Sequence, residues 1–146
     1  TLELMTVGDV EREILEAFDF VPKPTRTALI SHQCCECEEL AEDLSSYQAS
    51  EIPDEVFSKH VWDLPLLSDE GKHYYLQAWL LRGLKADGES AIDAVVFALD
   101  SDHRWSPKPP YTSEEWLAVD RWLAHIAVDT KGLEEDIERV RGKLPK

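Results

Sequence analysis

Basic residues are scarce: fifteen Lys and Arg stand against thirty Asp and Glu, a formal charge of −15 over 146 residues. Nucleic-acid binding rests on neutralising phosphates with Lys and Arg, so this balance argues against it. An anionic membrane surface is disfavoured for the same reason. Long apolar runs are missing too. The longest charge-free stretches, Thr27–Cys35 and His73–Leu81, are short and mixed, well under the ~18 residues of a membrane span. The N-terminus, Thr-Leu-Glu-Leu-Met-Thr-Val-Gly-Asp, has neither a basic region nor an apolar core of the signal-peptide kind, so a cytoplasmic location is expected. The six glycines are scattered, and no phosphate-cradling loop, Gly-x-Ser-x-Gly elbow or His-Glu-x-x-His helix occurs. That removes the commonest enzyme forms and makes a non-enzymatic role the expectation.

Cysteine is confined to one place. Cys34, Cys35 and Cys37 fall within four residues, so they cannot staple distant elements, and a reducing compartment is the simpler setting.

What is present is globular: 43% of residues are hydrophobic, with five Trp, enough for one ordinary core. The chain reads as a single acidic domain over 1–146. Thr6 with Asp9 approximates a capping box, and Val7, Val10, Ile14, Ala17 and Phe18 share one stripe. Val21-Pro-Lys-Pro ends that helix. Thr27–Ile30 reads as a short extended piece, at most one strand. An acidic helix is expected from Glu38 to about Tyr47 with Leu40, Ala41 and Leu44 inward. Another begins near Ser50, with Pro53 in its first turn and Val56, Phe57 and Val61 inside. Ser68 caps a helix near 69–86 that is apolar nearly all round, the pattern of a central helix. Ser90 caps the next, with Ile92, Val95, Val96 and Leu99 at core spacing. Thr112-Ser-Glu-Glu115 opens the last helical stretch with a capping box, and Gly132 divides that stretch. Lys131–Glu135 and Glu135–Arg139 are spaced to pair. The fold class is all-α, an irregular bundle of five to seven helices with at most one extended piece near 27–30.

Two constellations could carry function. Between Arg26 and Lys59 there is no Lys or Arg, while Glu36, Glu38, Glu39, Glu42, Asp43, Glu51, Asp54 and Glu55 all fall there. Inward apolar stripes on both helices would turn these acids outward as one negative patch, a docking surface for a basic protein or simply a solvated face. The second constellation is His32, Cys34, Cys35 and Cys37. Its Cys-x-x-Cys spacing lets two thiolates reach one Zn²⁺ with His32 near enough to add a nitrogen, but no second Cys pair exists, so His60, His73, His103, His125 or a carboxylate would have to complete the site. A dithiol redox pair and small thiols packing a helix start are the competing readings. His60, His73 and His125 read as packing residues. The Trp side chains read as core, except Trp105 in the His103-Arg-Trp-Ser-Pro loop, which looks like a surface anchor.

Several segments in order, Ala17-Phe-x-x-Val-Pro-x-Pro24, the His32 to Cys37 cluster, Ile52-Pro-Asp-Glu55, Leu66-Leu-Ser…Tyr74-Tyr-Leu-x-Ala-Trp79 and Val96-Phe-x-Leu99 before the Thr-x-x-Glu helix, resemble an uncharacterised bacterial domain-of-unknown-function family. The resemblance spans roughly Val10 to Ile126 and implies a small helical bacterial protein with no known activity. The leading expectation is therefore a protein-binding module, in its most concrete form an immunity-type inhibitor of a basic toxin or nuclease. A zinc- or thiol-dependent protein built on the cysteine cluster is the alternative.

Overall fold

The computed structural model describes residues 6–31, 34–100, 111–128, 130 and 132–144. Among them are seven α-helices and no strand: α1 Val7–Phe18, α2 Cys35–Ser45, α3 Asp54–His60, α4 Asp69–Gly83, α5 Glu89–Asp100, α6 Ser113–Ala127 and α7 Glu134–Lys143, with 3-10 turns at Thr27–Leu29, Ala49–Glu51 and Val61–Leu66. The all-α bundle expected from the sequence is the architecture found.

Local signals place most boundaries. The Thr6 hydroxyl accepts the Asp9 N–H at 3.1 Å while the Asp9 carboxylate accepts the Thr6 N–H at 3.1 Å, a complete capping box. Thr112 and Glu115 repeat the arrangement at α6, and Ser68 caps α4 through the Gly71 N–H. Gly132 takes a left-handed φ of +90° between α6 and α7, a conformation that favours glycine and lets the chain reverse there.

Burial on every side marks α4 as the central helix. Eleven of its residues are buried, His73, Tyr74, Tyr75, Trp79 and Leu80 among them. The polar tips of its aromatics hold the neighbouring segments. Tyr75 donates to the Leu44 and Tyr47 carbonyls, Tyr74 accepts from the Ala49 N–H, and Trp79 donates to the Val61 carbonyl at 2.8 Å. Each bond satisfies a group that would otherwise be stranded in the core. On the other side Trp122 of α6 donates to the Leu80 carbonyl at 2.8 Å. Gly83 makes that approach possible, since a Cβ there would lie 2.6 Å from the Trp122 ring. Helix α1 packs on α4 and α6, and α5 covers α4 and the Val61–Leu66 turn.

Several local expectations are corrected. Thr27–Leu29 is a 3-10 turn rather than an extended piece, because Thr25 holds the Ala28 N–H with both its hydroxyl and its carbonyl. Only Ile30 makes a bridge, an isolated antiparallel one with Leu67. Helix α2 starts three residues early, at Cys35. Ser90 lies inside the first turn of α5, where the Gly88 carbonyl takes the first helical N–H, from Ile92. Helix α3 starts after Pro53, α4 stops at Gly83, and Val56 is only half-buried. Arg139 is occupied by Asp100 and Asp136 in place of Glu135, while Lys131 lies outside the described residues.

Candidate functional site

The start of α2 brings two of the four cluster residues together. Cys34 is the N-cap, in extended backbone, and its sulfur accepts the Cys37 N–H at 3.2 Å. The Cys34 and Cys37 sulfurs are 2.9 Å apart, in hydrogen-bond contact. Cys37 is fully buried beneath the helix, Cys34 is half-buried and Cys35 is exposed. Contact from the Cys37 thiol, and then from the Cys37 N–H, holds the Cys34 thiol below its ordinary range, with nearby Glu36 acting in the opposite sense. Burial, reinforced by the contact with Cys34, pushes the Cys37 thiol up to about 11. His32 lies outside the described residues, and among those described no group of three His, Cys, Asp or Glu gathers in metal-binding array.

The acids that follow do not form one uniform face. Leu40, Ala41 and Leu44 are buried at 0%, 1% and 0% exposure, so α2 does turn its acids outward as expected. Yet bases from elsewhere reach back to several of them. Arg26 meets Glu42 at 2.9 Å, Lys59 of α3 meets Glu39 and, at 3.0 Å, Asp43, and Arg82 of α4 meets Asp54 at 2.6 Å. Asp43 is further fixed by buried His60. One ring nitrogen of His60 lies 2.7 Å from Asp43 and the other 2.8 Å from Asp63. Hydrogen bonding to His60, and then to Lys59, holds the Asp43 carboxyl below the usual range. Glu36, Glu38, Glu51 and Glu55 are exposed, and none of them forms an ion pair among the described residues. Asp43 is thus a structural tie between α2 and α3, and the open negative surface is carried by the remaining glutamates.

Tryptophan gives the residue that composition alone missed. Trp79, Trp116 and Trp122 are core, but Trp62 is 57% exposed in the turn after α3. It stands next in the chain to Asp63, whose carboxylate is joined through His60 to Asp43 of α2. Its position between Val61 and Leu64, both buried, resembled a core pattern. The three-residue period of a 3-10 turn, which puts 61 and 64 on one face and 62 on another, was the available signal. Trp105 lies outside the described residues.

His73 is a packing residue, as expected, with a partner that no local pattern named. Its Nε2 lies 2.7 Å from fully buried Glu115, and its ring packs against Phe18 and Tyr111. A cleft of about 660 Å³ opens where the ends of α4 and α6 meet the start of α5, lined in part by Lys85, Glu89, Asp93 and His125. Burial, and then the charge of nearby Glu89, raise the Asp93 carboxyl above its ordinary range. Against protein-family models, curated proteins and solved structures, the chain shows no match.

Proposed function

We propose that the chain is a protein-binding module that takes a basic protein partner on the surface formed by α2, α3 and the turn carrying Trp62. What supports this most is the exposed indole of Trp62, in the turn that directly follows α3. Interfaces concentrate their energy in large aromatic anchors such as Trp, with charge around them steering the approach. Glu36, Glu38, Glu51 and Glu55 supply that charge, and a net charge of −15 extends it over distance. Within this class the most concrete partner is a cationic toxin such as a nuclease, with the chain as its immunity-type inhibitor. Small size and strong acidity suit that role.

The test is to identify the product of the adjacent gene and, where it is cationic, to co-express the two and measure association kinetics on the purified pair. An adjacent product that is not cationic counts against the toxin form of the proposal. Association should slow about tenfold or more as salt rises from ~0.05 M to well above ~0.15 M, where the screening length is about 8 Å. Glu36→Lys with Glu38→Lys should slow association while leaving the fold intact, because exposed charges contribute little to stability. Trp62→Ala should mainly speed dissociation. An interface that avoids both α2 and Trp62, or an affinity indifferent to salt, would overturn the proposal.

A further inference from the structure

The cysteine pair at the head of α2 carries chemistry that the docking surface does not use. Cys34 and Cys37 occupy the N-cap and third helical positions, and their sulfurs already touch at 2.9 Å. An approach of about 1 Å would bring them to the bonded length of about 2.0 Å. Their environments differ in the way a two-step exchange needs. Cys34 is half-buried, so a substrate sulfur can reach it, whereas Cys37 is sealed at 0% exposure with its sulfur against that of Cys34. The Cys37 N–H pointing at the Cys34 sulfur is positioned to stabilise negative charge there. Cys35 is the most exposed of the three, but it sits about 200° round the helix from Cys37 and is poorly placed to resolve an adduct.

We propose that Cys34 and Cys37 form a thiol–disulfide exchange site for small organic disulfides, with Cys34 as the attacking and Cys37 as the resolving thiol. The Cys34 thiolate, its proton lost to solvent, attacks one sulfur of the disulfide. A Cys34–substrate mixed disulfide forms, and one substrate thiolate leaves. That thiolate takes up a proton. Cys37 then gives up its own proton and attacks the Cys34 sulfur, expelling the second substrate thiolate, which is protonated in turn. The balance is two protein thiols and one disulfide going to one Cys34–Cys37 disulfide and two small thiols. Two electrons pass from the protein sulfurs to the substrate. Glutathione disulfide represents the substrate class.

The full-length protein is equilibrated with graded ratios of reduced to oxidised glutathione, alkylated, and mapped by peptide mass spectrometry. The wild type should lose two alkylatable thiols together, and the bridge should map to Cys34–Cys37. Cys35→Ser should behave the same. Cys37→Ser should stop halfway, accumulating one glutathione on Cys34, and Cys37→Ala provides the same reading should serine disturb the buried position. Cys34→Ser should leave Cys37 unmodified. A bridge involving Cys35, an adduct that collects on Cys35 in the Cys37 variants, or three thiols that stay alkylatable in fully oxidised glutathione would each overturn the assignment. So would sulfurs shielded by stoichiometric zinc and released only by chelator, which would make the pair a metal site.

Discussion

Glu115 has no solvent contact, yet both of its oxygens are engaged. One accepts the Thr112 N–H at 2.6 Å and the other faces His73 Nε2 at 2.7 Å. The residue therefore closes the N-terminus of α6 and anchors the central helix to it. Glu115→Ala should cost about 3 kcal/mol in urea unfolding, because it strands buried His73 and the part-buried Thr112 N–H at once. Glu115→Gln should recover part of that by keeping the cap. The cap half of this role is legible in Thr112-Ser-Glu-Glu, since capping is a three-residue pattern. The His73 half is not, because 42 residues separate the partners and no periodicity relates them. Trp62 was hidden differently: a tryptophan flanked by core residues reads as core until the turn type is known.

Elements were readable wherever their ends are set by side chains next to them. Thr6, Ser68 and Thr112 all cap as their residue types suggest. The start of α2 was misplaced because its cap is a thiol, a group outside the usual capping set. The start of α5 was misplaced because Gly88 does the work assigned to Ser90. The acidic surface was half legible: α2 faces its acids outward, but the bases that occupy some of them come from Arg26, Lys59 and Arg82, brought in by the fold. Those ties have a pH signature. The carboxyls of Asp43, through His60 and Lys59, and of Asp100, through Arg139 and Lys143, sit below the ordinary carboxylate range. A depressed folded value means the stabilisation is fully present above the unfolded value of about 3.9 and is lost as pH falls through the folded one. Stability measured by chemical unfolding should therefore hold at neutral pH and drop below about pH 4. Asp43→Asn should be less stable at neutral pH and lose less on acidification; an unchanged acid slope would count against the His60–Lys59 tie.

At the scale of the whole molecule, thirty acids outnumber fifteen bases around a core centred on α4, and among the described residues Arg26, Lys59, Arg82, Arg121, Arg139 and Arg141 act as fasteners between elements. The last helix depends on them most. Within α7 only Ile137 and Val140 are buried. Among the described residues it is also attached by Arg139 and Lys143 to Asp100, and by Arg141 to Asp120 at 2.8 Å, through side chains about a third to a half exposed. Partly exposed pairs of this kind are screened by salt, whereas the aromatic anchors of α4 are not. Hydrogen–deuterium exchange should accordingly resolve two cooperative units. Amides of 137–140 should exchange well ahead of those of 74–80, and faster again in ~1 M salt, while the protection of α4 holds. Equal protection of the two helices would mean that α7 opens only with the whole molecule. A last helix fastened by charge to a core fastened by aromatics gives the domain a built-in order of opening, with its C-terminal end as the first part to come undone.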